Sequence, residues 1–317
     1  MLAGCAGSQD ALAPKSHQAQ DIATLFWWMT GGAFVGLGLI VALLLWAVRR
    51  RDGDGEDAEE RGERRAWYVV VGGGIVLPIV VVAVLFLVSD VFVIRTTQAP
   101  AASATRLTID VIGHQWWWEV RYPGSAAVTA NEIHIPVRTP VRVEVRTADV
   151  IHSFWVPQLN RKIDAIPGQR NAVELDADAV GRYRGQCAEF CGLQHAHMAL
   201  EVVADPPDVF RRWLAAQAAP AATPLTAAAQ RGAQAFASTC GSCHAIRGTA
   251  ASGDVGPDLT HLASRSSLAA LTLANTASNL RDWLAAPQHA KPGNQMPDLG
   301  LSGAPLNDLV AYLEALR

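Results

Sequence analysis

Hydrophobic positions are densest in two long runs near the start of the chain. Residues 22–48 and 67–94 are almost continuously apolar, and each run exceeds the roughly 20 residues that a helix needs to cross a bilayer. Tryptophan and tyrosine near their ends fit the aromatic belt of a membrane interface. Pro78 lies inside the second run, where a transmembrane helix tolerates proline better than a soluble helix does. We therefore predict a two-helix transmembrane hairpin rather than a buried hairpin of a soluble protein.

Arginines flank the membrane ends of the loop at 49–66, which is otherwise rich in acidic residues. The positive-inside rule places such a loop in the cytoplasm. Both termini, and everything after residue 94, are then expected on the periplasmic or outer side of a bacterial cell membrane.

Beyond residue 106 the pattern changes to short β-branched runs separated by turn residues, at 107–112, 132–136, 141–147 and 171–175. The run 141–147 alternates apolar and charged residues, as a half-buried strand does. Many short strands at this spacing predict an all-β sandwich. Residues 208–217 have the pattern of a short amphipathic helix that closes this domain.

A proline- and alanine-rich segment at 218–225 is typical of a semi-rigid linker. Helical patterns follow at 226–238 and 307–316, which predicts a separate all-α domain. The predicted membrane part consists of an external N-terminal segment (1–21), helix 1 (22–48), a cytoplasmic loop (49–66) and helix 2 (67–94). A linker (95–105) leads to the β domain (106–217), and a second linker (218–225) leads to the α domain (226–317).

Composition agrees with a membrane-anchored chain. Half of the 317 residues are hydrophobic and 17% are charged, which is a low charged fraction for a soluble protein. The net charge of −3 gives no indication of nucleic-acid binding. The five cysteines fall into two close pairs and one single residue near the N-terminus, so no pair remains for a structural disulfide.

The first cysteine pair lies in a loop that also offers a histidine and a methionine. Cys187, Cys191, His195 and Met198 follow one another at short spacing, and His152 is a further candidate from upstream. Structural zinc would leave the thioether without a role, and a disulfide within the pair is the other alternative. Thiolate, thioether and imidazole together favour copper. Two thiolates suggest two bridged copper ions.

This loop resembles the copper A site of cytochrome c oxidase subunit II, whose pattern C-x-E-x-C-x-x-x-H-x-x-M is filled at every position. The resemblance implies a cupredoxin fold and a dinuclear copper centre, in which both cysteines bridge the two ions and each histidine binds one. The thioether and a backbone carbonyl would be weaker ligands, and the glutamate carboxylate would also reach a magnesium ion shared with subunit I. The implied ligands are His152, Cys187, Glu189, Cys191, His195 and Met198.

The second cysteine pair forms the motif Cys240-X-X-Cys243-His244, the signature of covalent haem c attachment. Chance or zinc binding are the alternatives for this motif taken alone. Segments 256–259 and 291–297 resemble the proximal and distal segments of class I cytochromes c. The resemblance implies thioether bonds from both cysteines, His244 as proximal iron ligand and Met296 as the sixth ligand, although an ordinary loop methionine is the alternative.

The same resemblance predicts that the C-terminal helix crosses the first helix of this domain near Gly232 and Phe236. His197, His261 and His289 are among the histidines that match no ligand position. We interpret His197 as a loop or interface residue, and His261 and His289 as surface or packing residues.

Trp116 belongs to an aromatic segment at 113–119. Strand alternation puts Trp116 and Trp118 on one face and Trp117 on the other, and core packing is one explanation. The segment also resembles the aromatic stretch beside copper A, where the matching residue lies at the surface and passes electrons inward. Trp116 is therefore the candidate for electron entry. Residues 162–168 match another segment near the metal, with an expected orienting role.

Cys5 ends a Leu-Ala-Gly-Cys sequence that resembles a bacterial lipobox, and we expect its lipidation. The charged region and apolar run of a signal peptide do not precede it. Either the start is assigned too late or the match is due to chance.

The resemblance as a whole identifies the chain as a member of the caa3-type cytochrome c oxidase subunit II family, with a fused cytochrome c domain. It implies electron flow from an external donor, such as a cytochrome c or an upstream complex, through haem c and copper A to haem a. The implied partners are subunit I, which holds haem a and the haem a3–copper B site, and other oxidase subunits. The chain itself shows no complete catalytic site, so it is enzymatic only within that complex.

Two other classes of function remain open at this stage. A nitric oxide reductase with the same copper centre would use a similar input subunit, and a copper-handling membrane lipoprotein would bind labile copper. Helix 2 also departs from the family, because residues 67–78 lack the glutamate associated with proton uptake. We assign no proton-uptake role to this chain.

Overall fold

The computed structural model describes residues 7–49 and 56–317, and Cys5 lies outside the described residues. The described chain divides into two compact units. One unit is Gln20–Thr97, and the other combines residues 7–19 with Gln98–Arg317.

Two long helical stretches account for the apolar runs. Helix α1 spans His17–Arg49, and the second stretch runs from α2 (Glu56–Tyr68) through a π-helical segment into α3 (Leu77–Ser89). Both stretches are long and apolar enough to cross a membrane, and their apolar side chains are exposed. Pro78 lies in the first turn of α3, directly after the π-helical segment.

The second helical stretch begins earlier than its apolar run. Helix α2 starts at Glu56, inside the segment expected as a loop at 49–66. Glutamate and arginine are good helix formers, and charges of opposite sign spaced three or four residues apart stabilise a helix in water. Hydropathy marks the apolar part of such a helix and does not mark its polar extension.

Ten strands form the β domain. Their bounds are β1 Thr108–His114, β2 Trp117–Arg121, β3 Val128–Ala130, β4 Glu132–Pro136, β5 Val141–Thr147, β6 His152–Trp155, β7 Ile163–Ala165, β8 Asn171–Leu175, β9 Gly181–Cys187 and β10 Ala199–Asp205. They form two five-stranded sheets, in the orders β3-β2-β1-β5-β8 and β4-β10-β9-β6-β7. The four runs predicted from β-branched periodicity correspond to β1, β4, β5 and β8.

A single apolar core lies between these two sheets. Strand β5 buries every second residue at its start, as its alternation predicts. The fully buried side chains of this core include Trp118, Phe154 and Leu200. Helix α4, Pro207–Ala218, covers one edge of this core through Phe210 and Trp213.

The C-terminal domain is helical and has a core of its own. Its elements are α5 Ala227–Thr239, the short strands β11 Ser267–Leu268 and β12 Leu273–Ala274, α6 Ala277–Ala285, α7 Pro287–Ala290 and α8 Gly303–Leu313. Helices α5 and α8 cross at Gly232, where a Cβ atom would lie 2.0 Å from the Asp308 carbonyl oxygen. The Phe236 and Tyr312 rings meet beside this crossing at 5.8 Å.

The predicted fold class is confirmed: two apolar helices, a cupredoxin-like β-sandwich and an α-helical cytochrome c domain. Helix α8 begins at Gly303, a few residues before the predicted run, because its apolar face starts only at Leu306.

Candidate metal centre and haem cavity

Neighbouring strand ends bring the first group of candidate ligands together. His152 opens β6 and Cys187 closes β9, and these strands pair antiparallel with Phe154 opposite Cys187. The loop 188–198 then returns to β10, and the Cys187 amide donates to the Met198 carbonyl at 2.9 Å. We call residues 187–198 the Cys loop. Its two ends are therefore closed within the same sheet that places His152.

The sulfur and nitrogen atoms of this group converge on one small volume. The Sγ atoms of Cys187 and Cys191 are 3.9 Å apart, and Cys187 Sγ lies 3.9 Å from His152 Nδ1. Cys191 Sγ lies 3.6 Å from His195 Nδ1 and 3.8 Å from Met198 Sδ. The Glu189 carbonyl oxygen is 3.1 Å from Cys187 Sγ, whereas the Glu189 side chain is exposed.

His152 is held in one orientation by a carboxylate. Its Nε2 donates to Asp149 Oδ1 at 2.7 Å, so the imidazole presents Nδ1 to the cysteines. The Gln115 amide donates to the other oxygen of Asp149 at 2.6 Å. Gly113 lies directly against the ring, and a Cβ atom at this position would be only 2.7 Å from His152 Cδ2. Such outer contacts are typical of metal-binding histidines.

The two thiols have unequal acidity. The contact between the two Sγ atoms, together with the contact to His152, outweighs burial and holds the pKa of Cys187 well below its usual range. The same contact raises the pKa of Cys191, since a thiolate beside it opposes a second ionisation. The pair therefore favours one thiolate, which is the form that soft metals bind.

The residues of the haem signature follow directly after α5. The His244 amide donates to the Cys240 carbonyl at 2.9 Å, which folds the signature into one tight turn. His244 Nδ1 donates to the Pro257 carbonyl at 2.8 Å and leaves Nε2 free to bind a metal. Burial lowers the pKa of His244, which favours the neutral, ligating form. Gly256 lies against this ring, where a Cβ atom would approach Cε1 to 2.5 Å.

A large cavity of about 310 Å³ lies above this turn, and we call it the interdomain cavity. The helical domain lines it with both cysteines of the signature, His244 and Met296, and the β-sandwich adds Gln115, Trp116 and Trp117. Cysteines, histidine and methionine lining one cavity are the donor set that covalent haem requires. The residues present therefore fit the group.

Arg265 is a cavity residue that the sequence gave no reason to select. It is buried and donates a hydrogen bond to the Asp258 carbonyl, yet its Nε has no hydrogen-bond partner among the described residues. A buried donor of this kind calls for an acceptor, and the acidic groups of a haem would provide one.

Trp116 connects the cavity to the Cys loop. Its indole Nε1 donates to the Cys191 carbonyl at 2.9 Å, and Gln115 Nε2 donates to the same oxygen at 2.7 Å. The ring is buried and lines the interdomain cavity. The family pattern predicts a surface position, whereas the ring here is buried, packs with the core of the β-sandwich and lines the interdomain cavity. Trp118 is fully buried in the same core, and Trp117 stacks on His114 at 4.3 Å.

The histidines at 197, 261 and 289 lie outside both groups of candidate ligands. His197 is exposed, and its Nδ1 pairs with Gln194 Oε1 at 2.7 Å in the Cys loop. His261 is buried and contacts the Ala219 carbonyl at 3.0 Å, and His289 is exposed. In the segment 162–168, Asp164 accepts a hydrogen bond from Ser153 at 2.7 Å, next to His152.

Two family descriptions match separate parts of the chain. Residues 125–205 match the periplasmic domain of cytochrome c oxidase subunit II, and residues 229–317 match cytochrome c. A solved structure of the periplasmic domain of subunit II of cytochrome oxidase from Bradyrhizobium japonicum is 34% identical over 36% of this chain and 94% of that one, with a TM-score of 0.35.

Full-length relatives extend the similarity to the rest of the chain. Cytochrome c oxidase subunit 2 of Alkalihalophilus pseudofirmus is 32% identical over 100% of this chain and 94% of the relative. The protein of the same name from Bacillus sp. strain PS3 is 28% identical over 76% of this chain and 72% of the relative. With both metal-binding motifs placed in their matching domains, the chain belongs to the cytochrome c oxidase subunit 2 family.

Proposed function

We propose that this chain is the electron-input subunit of a haem-copper terminal oxidase, passing electrons from a covalent haem c through a dinuclear copper A centre to haem a of subunit I. The observation that carries this proposal is the position of Trp116. Its ring lines the cavity that holds the haem signature, and its N–H binds the carbonyl of Cys191. One side chain thus contacts both candidate sites.

For the copper centre, we assign Cys187, Cys191, His152 and His195 as the residues that would hold the two ions. Met198 and the Glu189 carbonyl complete the set as weaker ligands. When bound, the copper pair supplies a one-electron redox centre. The short distances among these atoms and the burial of both thiols support the assignment. Asp149 keeps Nδ1 of the first histidine directed at the sulfur atoms.

For the haem, we assign Cys240 and Cys243 as the residues that would attach it covalently, and His244 and Met296 as the residues that would bind its iron. When bound, the haem supplies a second one-electron centre. The Pro257 carbonyl fixes the tautomer of the histidine. Gln288 Nε2 donates to the Met296 carbonyl at 2.8 Å, which steadies the loop that carries the thioether. Arg265 would bind an acidic haem group.

The membrane arrangement follows from the two apolar helices. We infer that the arginine-flanked loop at 49–66 is cytoplasmic and that both metal-binding domains are on the outer side of a bacterial cell membrane. The exposed carboxylate of Glu189 is available for a magnesium ion shared with subunit I. Lipidation of Cys5 would add a second membrane anchor. An external donor would deliver electrons to the haem domain.

Spectroscopy of the purified full-length chain, matured with haem and loaded with copper, tests this proposal. We expect low-spin haem c together with an electron paramagnetic signal from one unpaired electron shared by two copper nuclei. Cys191→Ser should abolish the shared signal and leave the haem spectrum unchanged. A single-copper signal in the unmodified chain would refute the copper A assignment.

Oxygen is favoured over nitric oxide as the final acceptor because the relatives that span most of this chain are cytochrome c oxidase subunits. The chain is purified together with its partner subunit, and the gas that this complex consumes distinguishes oxygen from nitric oxide as the acceptor. Consumption of nitric oxide without consumption of oxygen would favour the reductase instead.

A further inference from the structure

Lys291 is a buried lysine at the boundary between the β-sandwich and the helical domain. Only 3% of its surface is exposed. It begins the loop at 291–296, which ends at Met296, and it lines the interdomain cavity. A buried ammonium group is costly unless hydrogen bonds satisfy it, so its partners indicate why this position holds a lysine.

Burial lowers the pKa of Lys291 to about 7, and in the protonated form each of its three N–H donors finds a backbone carbonyl. Lys291 Nζ donates to Trp116 O at 2.8 Å and to His197 O at 2.8 Å, both in the β-sandwich. The third bond goes to Ala269 O at 3.2 Å in the helical domain. One side chain therefore joins the electron-entry candidate, the Cys loop and the helical domain.

A second contact fastens the same two loops. Gln194, in the Cys loop, donates from Nε2 to the Pro292 carbonyl at 2.5 Å. Consecutive residues of the loop at 291–296 are thus bound to the loop that carries the candidate copper ligands. Elsewhere on the boundary, Ser266 donates from its amide and its hydroxyl to Glu132 at 3.3 Å.

A role confined to the stability of the helical domain does not account for this geometry. Two of the three acceptors belong to the other domain, and an apolar side chain would fill the same space without the cost of burying a charge. The cost is understandable if the position fixes how the domains are oriented, because three directed hydrogen bonds define one geometry.

We propose that Lys291 is a positioning residue that locks the helical domain onto Trp116 and the Cys loop, so that the two candidate redox centres keep a fixed separation during electron transfer. The proposal rests on the proposed function for its purpose, but the lock itself is a property of this chain's own residues. It also keeps Trp116 covered, so an external donor has to deliver its electrons to the helical domain.

Hydrogen–deuterium exchange of the full-length, haem- and copper-loaded chain tests the lock without measuring activity. Lys291→Met keeps the length of the side chain and removes its charge and donors. We expect amides at 115–118 and 193–198 to exchange roughly 10- to 100-fold faster, as expected on loss of hydrogen bonds to a charged group. Lys15→Met, which changes an exposed lysine, is the matched control. Equal exchange in the two variants would overturn the proposal.

Transfer kinetics in the unmodified chain provide an independent test, which also applies if Lys291→Met fails to retain haem. After photoreduction of the haem, a locked domain gives a transfer rate to copper that does not change with solvent viscosity. A rate that falls as viscosity rises would show a domain that must first move, and would overturn the lock. Absence of any internal transfer would refute the proposed function alone, because the exchange result decides the lock separately.

Discussion

The indole N–H of Trp116 donates to the carbonyl oxygen of Cys191 over 2.9 Å, while the same ring forms part of the wall of the interdomain cavity. This side chain therefore contacts both the loop with the candidate copper ligands and the cavity with the haem signature. Covalent fusion of donor and acceptor domains replaces a diffusive encounter with an intramolecular one. The buried position of Trp116 is consistent with that change.

Replacing Trp116 by phenylalanine removes the N–H donor and keeps an aromatic ring. We expect internal electron transfer from haem to copper to slow by about tenfold or more, because the direct contact with Cys191 is lost. The structure should survive with a loss of about 1 kcal/mol, since Gln115 still donates to the same carbonyl. Time-resolved absorption after haem photoreduction measures the rate.

Trp28→Phe is the control for this change, because Trp28 is an exposed aromatic residue of α1, outside the β-sandwich. An unchanged rate in Trp116→Phe, with both metal spectra intact, would remove Trp116 from the electron path.

Replacing Asp149 by asparagine should weaken copper binding. The carboxylate fixes His152 through a 2.7 Å hydrogen bond, and loss of such an outer partner typically costs about 10- to 100-fold in metal affinity. Competition with a copper chelator gives the affinity, and the haem spectrum serves as an internal control. Wild-type copper affinity in this variant would show that the orientation of His152 does not depend on Asp149.

Gly256→Ala should disturb the proximal side of the haem. The added methyl group would lie 2.5 Å from His244 Cε1, so the imidazole has to tilt or withdraw. We expect a smaller low-spin haem fraction in the optical and paramagnetic spectra, with the copper signal unchanged. Gly36→Ala, where nothing lies within 4 Å of the added atom, is the control. A fully low-spin haem in Gly256→Ala would argue against His244 as the axial ligand.

The boundary between the domains should weaken in acid. Burial by itself raises the pKa of Glu132, but hydrogen bonds from His134 and from Ser266 outweigh it and hold the pKa below the ordinary value of 4.5. When the pKa of a carboxyl group is lower in the folded than in the unfolded chain, its charge stabilises the folded form. The full contribution is present at pH values above the pKa in the unfolded chain. This contribution is lost as pH falls through the folded pKa.

Thermal unfolding of the wild type and of Glu132→Gln between pH 3 and pH 7 measures this effect. This pH range brackets the ordinary pKa of a carboxyl group. We expect the wild type to be more stable by roughly 1–3 kcal/mol at neutral pH, with the difference closing below about pH 4.5. Ser266→Ala should lose part of the same stability. A difference that persists unchanged to pH 3 would show that the charge of Glu132 is not responsible.

Sequence patterns were sufficient wherever the signal is local. Hydropathy located both apolar helices, alternation located β5, and the spacing from Cys187 to Met198 indicated copper. The fold then brings His152, the candidate from upstream, within 3.9 Å of Cys187. Gly113 and Asp149 precede His152 in the sequence, yet only the paired strands show that both contact its ring.

Contacts between distant segments could not be predicted in this way. Lys291 and Trp116 are separated by 175 positions, and no periodicity links them. Arg265 gave no signal because an arginine in a polar loop is usually exposed, and only folding shows that it is buried beside the cavity. The covered position of Trp116 also depends on how two domains meet, which the pattern of either domain alone does not specify.

Internal electron transfer is the most direct test of the central claim that haem and copper form one relay on this chain. The haem of the fully loaded, full-length chain is photoreduced, and the haem absorption and the near-infrared copper band are followed together. We predict that haem oxidation and copper reduction share one rate constant that is independent of protein concentration. A haem that remains reduced, or a rate that rises in proportion to protein concentration, would contradict the account.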